Sequence, residues 1–153
     1  MKIRRTLSLA LSAGLLAVAP LAVAPAAQAA VVKPLDVVSI KYDPAGRDDR
    51  TNAHINGEYV VLKNTGTKAL DVTGYSIKDA ANHTFVFPRG TRIAAGKQVM
   101  VRTGKGANTA STLYWKQGNY VWNNTGDTLR LYSGKGALLE KCTYRGGGVS
   151  AAC

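Results

Sequence analysis

From residue 35 onward, apolar side chains recur at every second position in short runs, and Gly, Pro, Asn and Asp separate the runs. That spacing predicts strands, because successive side chains of an extended chain point to opposite faces. Residues 35–42 read as the first strand, with Leu35, Val37 and Ser39 on one face and Val38, Ile40 and Tyr42 on the other. Residues 58–64 are the second. Glu58, Val60, Leu62 and Asn64 share a face there, so a carboxylate heads an otherwise apolar row. A turn region around Gly66 leads to a third strand over 75–78, and Asp79-Ala80-Ala81-Asn82 is a hairpin-like link to a strand over 83–87. Pro88-Arg89-Gly90 ends that strand, and residues 93–96 lead into another over 98–102. Further on, 120–122 read as a short strand, 123–126 as a tight turn, 127–133 as a strand with Leu129 and Leu131 inward, and 137–145 as the last strand.

About eight short strands at this spacing indicate an all-β antiparallel sandwich or barrel. Helical periodicity is absent after residue 29, which argues against an α/β fold. Two stretches stand apart. Residues 43–57 form a polar loop holding Pro44, Gly46 and most of the local charge, and residues 103–119 are rich in Gly, Thr, Ser and Asn. A loop as long as the second is unusual in a compact domain unless it moves or binds.

Residues 1–29 carry the marks of an export signal. Lys2, Arg4 and Arg5 form a basic start, Leu7 to Val18 an apolar core, and Ala27-Gln28-Ala29 a small-x-small cleavage pattern. The apolar stretch is short for a bilayer span, and no cysteine follows the cleavage pattern to carry a lipid. Cleavage after Ala29 leaves a single domain over 30–153, destined for a secreted, extracellular location and without a membrane span. The signal holds three of the 20 basic residues and none of the nine acidic ones, so the mature charge is 17 − 9 = +8. A charge of that size favours solubility and attraction to polyanions and is silent about fold. Both cysteines, Cys142 and Cys153, lie in the exported part. In an oxidising compartment the expectation is a disulfide that pins the Gly146-Gly147-Gly148 tail to the last strand. Closing so short a loop stabilises by roughly 3 kcal/mol in the chain-entropy model.

The strand of Glu58-Tyr59-Val60-Val61-Leu62-Lys63-Asn64, closed by Asn64-Thr65-Gly66, resembles the lamin tail domain family. The likeness extends through Thr73-Gly74-Tyr75, Phe87-Pro88 with Gly96, Trp122-Asn123-Asn124 with Gly126-Asp127, Leu129 and Leu131, and Tyr144. It runs from about Asp36 to Tyr144, and the motifs are individually weak but specific in their order. Tyr75 departs from the tryptophan that is commoner at that position. The resemblance implies an immunoglobulin-like antiparallel β-sandwich and an interaction module, some members having affinity for nucleic acid. It implies no reaction.

The candidate chemistry is sparse. Glu58 on a core-facing register must be hydrogen-bonded or neutralised, and the expected role is structural, fixing a loop. A hydrolase using Glu58 needs that carboxylate exposed in a cleft beside a second titratable group. Asp43, Asp48 and Asp49 with Gly46 suggest a calcium loop, but the regular oxygen supply is missing and Arg47 and Arg50 interleave the acids. His54 and His83 stand beside no other ligand at metal spacing, and no nucleophile-elbow pattern occurs. Thus no metal, cofactor or catalytic set is expected. Trp122, Asn124 and Asp127 read as structural, the turn from Asn123 to Asp127 setting geometry. The remaining signal is basic. Arg89, Arg92, Lys97, Arg102 and Lys105 are close enough in sequence to form one patch, with Tyr114 and Trp115 nearby. Such a patch suits DNA or a cell-wall polyanion. The rival expectation is a protein partner held at a sheet edge or by loops.

Overall fold

The computed structural model describes residues 33–153, so the export signal lies outside the described residues. Eleven strands and one helical turn follow in chain order: β1 Leu35–Lys41, α1 Asn52–Ile55, β2 Tyr59–Asn64, β3 Leu70–Asp71, β4 Ser76–Lys78, β5 Thr84–Val86, β6 Arg92–Ile93, β7 Gln98–Arg102, β8 Thr112–Tyr114, β9 Asp127–Tyr132, β10 Leu138–Tyr144 and β11 Ser150–Ala152. One sheet has the order β11-β1-β2-β7-β8, a second the order β10-β9-β4-β5, and β3 pairs with β6 in a small third. Every pairing is antiparallel except β7 with β8.

The alternation read from the sequence places the core. Val60 and Leu62 of β2, Val99 and Val101 of β7, Ile77 of β4 and Leu129 and Leu131 of β9 are all buried in one cluster that joins the inner faces of the two large sheets. Phe85, Phe87, Trp115 and Trp122 belong to the same cluster, with Phe85 and Phe87 ring centroids 5.1 Å apart and Trp115 and Trp122 5.9 Å apart, both edge to face. Aromatic rings bury the largest apolar areas per residue and prefer this edge geometry.

Strand β1 departs from strict alternation. Leu35 and Val37 are buried as expected, but so are Ile40 and Tyr42, which a period of two puts on the opposite face. The cause is a β-bulge, for the register against β2 shifts between Val37 and Ser39. An extra residue moves every later side chain to the other face. The amide of Val37 donates to Glu140 Oε2 of β10 at 3.0 Å, and Val38 O accepts from the Cys153 amide at 3.1 Å. The bulge thus ties β1 both to the facing sheet and to the C-terminus.

Four further expectations are corrected. A helical turn does follow the signal region: Thr51 Oγ1 accepts from the His54 amide at 3.3 Å, while Asp49 Oδ1 takes both the Thr51 amide and its hydroxyl at 2.9 and 2.8 Å. Four residues are too few to show a 3.6-residue period. Residues 120–122 are not a strand, because the Val121 amide donates to a side chain and not to a ladder. Residues 103–119 are not one long loop but contain β8, held parallel to β7 by the pairs Met100–Thr112 and Arg102–Tyr114. The tail carries β11, which extends the first sheet beyond β1.

The disulfide between Cys142 and Cys153 is present, with Cα atoms 5.6 Å apart. Its reach is greater than expected, since Cys142 sits in β10 and Cys153 follows β11. It therefore joins the two large sheets. Gly146 turns the chain between them at φ +73°, and a Cβ there would collide with the Asn124 carbonyl and Thr125 backbone. No helix among the described residues is long and apolar enough to cross a membrane.

Candidate functional site

Glu58 lies at the start of β2 and is fully buried. Its Oε2 accepts the Val121 amide at 3.0 Å, and its own carbonyl accepts the Thr103 amide at 3.1 Å. Burial pushes its carboxyl up to about 7, with the Val121 backbone amide pulling the other way. Oε1 has no hydrogen-bond partner, nor have the neighbouring Thr103 Oγ1 and Trp122 Nε1. The carboxylate thus fixes the irregular 120–122 segment against the sheet. A Glu58 hydrolase needs that carboxylate exposed in a cleft, whereas here it is fully buried.

The segment between β1 and β2 folds over this end of the sandwich. His54 Nδ1 lies 2.6 Å from Tyr120 Oη and 3.9 Å from Asp48 Oδ1. Asn52 and Asn56 both donate to the Lys105 carbonyl, at 3.0 and 2.9 Å, and Asn52 Oδ1 accepts the Lys105 amide at 2.7 Å. Gly104 lets the loop approach so closely, since a Cβ would meet both asparagine side chains. Asp43 accepts from Asn124 Nδ2 at 3.2 Å. The three acids of the suspected calcium loop therefore hold different partners. No group of three or more His, Cys, Asp or Glu is placed to hold a metal among the described residues.

A second polar corner surrounds Asp127. Its Oδ1 accepts the amides of Ala80 and Thr128 at 3.0 and 2.7 Å, and its Oδ2 accepts Asn123 Nδ2 at 3.0 Å. Asp79, which the sequence reading passed over, is also buried and holds His83 by both backbone amide and ring, at 2.7 and 2.6 Å. Its signal was the hairpin link itself, where Asp commonly bonds backbone a few residues on. Asn64 was placed on the inner face but given no role. It donates to the Lys68 and Ile93 carbonyls and accepts the Gly66 amide, all within 2.9 Å, so it joins β2 to the β3–β6 pair.

The basic residues divide. Arg89 and Arg92 line one groove of about 330 Å³, and Arg92 and Lys97 line a second of about 290 Å³. Arg92 and the residue Ala110 belong to both, so the grooves adjoin beside β6. All three cations are exposed, and none is in an ion pair among the described residues. Asp71 stands opposite Arg92 in the β3–β6 register. Its carboxyl is held below the usual range chiefly by the Thr73 hydroxyl and amide, with a smaller contribution from Arg92. Arg102 and Lys105 belong elsewhere. Lys97 precedes β7 and Arg102 ends it, a separation of roughly 16 Å along an extended strand. Arg102 donates to the Asn56 carbonyl and stacks its guanidinium 5.4 Å above the Tyr59 ring. The Lys105 backbone also meets the Glu58 end through Asn52 and Asn56, while its side chain is exposed; Arg89, Arg92 and Lys97 are the cations that line the two grooves. Trp115 is buried, and neither groove is lined by an aromatic side chain.

Two packed sheets of short strands, with a buried glutamate at the head of β2 and an Asn-Asn-Thr-Gly-Asp turn before β9, define an immunoglobulin-like β-sandwich. The chain belongs to the lamin tail domain family: the family model described as Lamin Tail Domain matches residues 28–146. No protein of curated function matches the chain at a significant level.

Proposed function

We propose that this chain is an exported, non-catalytic binding module that attaches to anionic polymers through Arg89, Arg92 and Lys97. One observation carries the reading. These three cations are exposed and free of ion pairs along two adjoining grooves, while most of the acidic groups near the Glu58 end are tied into hydrogen bonds. A charged side chain without a partner keeps its full attraction for an incoming anion and needs no internal contact broken first. The disulfide and the signal-like N-terminus support export, since disulfides persist in oxidising compartments. The absence of a catalytic role rests on the sequestered Glu58 and on the membership of a family of interaction domains.

Binding across a salt series, to DNA and to a chemically unrelated polyanion, tests this. Three cations neutralising phosphates give a log–log salt slope of about −2 to −3. Steep, salt-dependent binding to both polymers is the expected result. No binding at moderate salt overturns it. It then leaves a protein partner, for which the outer strand β5 offers an unpaired edge with Val86 exposed at 55%. Charge reversal at Arg89 and Arg92 separates the two, because it abolishes polyanion binding and leaves the β5 edge untouched.

A further inference from the structure

We infer that the paired grooves beside β6 take a phosphodiester-linked polyol, a chain of alternating phosphates and hydroxyl-bearing carbons without bases. This rests on the polyanion reading above and narrows it by the groups that accompany the cations. The first groove sets Asn108 beside Arg89 and Arg92, and the second sets Ser111 and Gln98 beside Arg92 and Lys97. The orientation of Asn108 is fixed, because its Oδ1 accepts the Tyr114 amide at 3.0 Å. Its amide nitrogen is left to donate. The side chains of Ser111 and Gln98 make no hydrogen bond among the described residues, whereas Thr109 is occupied by the Thr112 backbone. Each groove therefore holds cations together with free neutral donors or acceptors, and Arg92 is common to both. A chain that carries both phosphates and hydroxyls offers a partner to each kind of group.

The same grooves lack what a base-bearing strand uses. Single-stranded nucleic acid is held by stacking on aromatic faces as well as by charge. Trp115 stands near in sequence but packs between Phe85 and Trp122, with centroids 5.9 Å from each. Tyr114 lies against the backbone of Gly106. The apolar lining comes instead from Pro88 and Leu113 in the first groove and Ile93 and Ala94 in the second, and aliphatic carbons suit it.

The test titrates the purified protein with poly(glycerol phosphate), with single-stranded DNA of equal phosphate number, and with polyglutamate, at several salt concentrations. Poly(glycerol phosphate) is expected to bind about five-fold tighter than the DNA, the worth of about one net hydrogen bond. The double substitution Ser111→Ala with Gln98→Ala should bring it to parity with DNA without changing the salt slope. Asn108→Asp keeps the oxygen that accepts the Tyr114 amide but sets a negative charge against the phosphate, and should weaken both phosphate polymers. Equal affinity for all three polymers with one common slope overturns this inference and leaves the polyanion reading standing. Tighter binding of DNA overturns it in favour of base contacts. Failure of every polymer to bind at moderate salt overturns both.

Discussion

The two ends of this sandwich use polar residues in opposite ways. Around Glu58 the polar groups are turned inward: the buried carboxyl holds the Val121 amide, Asn52 and Asn56 hold the Lys105 backbone, and Asn124 holds the Asp43 side chain. Around Arg92 they are turned outward: among the described residues Arg89, Arg92 and Lys97 are in no ion pair, and the Gln98 and Ser111 side chains make no hydrogen bond. The residue with the most chemical appearance in the sequence therefore belongs to the scaffold, and the plainer basic residues carry the free interaction capacity. A group already engaged by backbone cannot be offered to a ligand without loosening the fold.

Substitutions at the Glu58 end should cost stability, and the largest effect is expected for Trp122. It is 1% exposed and packs edge to face on Trp115, and truncating such a ring to Ala removes about 3–5 kcal/mol. A chemical-denaturation midpoint for Trp122→Ala near that of the parent would break the comparison. Removal of the disulfide by Cys142→Ser with Cys153→Ser comes next, at about 3 kcal/mol for so short a loop. Because the bond joins β10 to the end of β11, hydrogen exchange should rise first in β11 and along its partner β1. Uniform exchange throughout the domain would show that the clasp is not local.

Glu58 gives an effect with a definite sign. Its carboxyl sits at about 7 in the folded chain against an ordinary 4.5. Between those values the unfolded chain releases the proton and the folded chain retains it, so stability is highest below about pH 4.5 and falls as pH rises to about 7. The loss is at most about 3–4 kcal/mol, at about 1.4 kcal/mol per pH unit over that shift of 7 − 4.5 = 2.5. Thermal melts of the parent from pH 4 to 8 should show the decline from this source, and Glu58→Gln should remove it. A parent and variant with parallel profiles would mean that Glu58 ionises freely and is not sealed.

Much of this arrangement was legible in the sequence, and the reasons differ by element. Strands with one buried face, such as β2 and β9, were read with their inward residues because alternation is the direct imprint of a half-buried strand. Glu58 was placed correctly by the same rule, since its register matched Val60 and Leu62. The bulge in β1 escaped because an inserted residue leaves a pattern that still alternates locally on both sides of Val38. Strands β3, β6 and β8 are two or three residues long, shorter than any period they might show, and β8 gains its place from a parallel pairing fixed by distant contacts. The proposed strip rests on fewer of the basic residues than nearness in sequence joined. Nearness in sequence joined Arg102 to Arg92, but an extended strand carries residues apart faster than any other regular structure, and β7 separates them.

The smallest expected change in stability is at Arg92, and it tests the comparison most directly. Its guanidinium is exposed and free of ion pairs, and surface substitutions away from special features usually stay within about 0.5 kcal/mol. Arg92→Ala should leave the melting transition in place and flatten the salt dependence of polyanion binding by about one unit of slope, the contribution of one phosphate contact. Arg102→Ala, in β7 of the five-stranded sheet, is the counterpart. It removes the bond to the Asn56 carbonyl and the stack on Tyr59, so it should lower stability by about 1–2 kcal/mol and leave the salt slope unchanged. If the two variants exchange these behaviours, the free cations are not where the polymer binds and the division between the two ends fails.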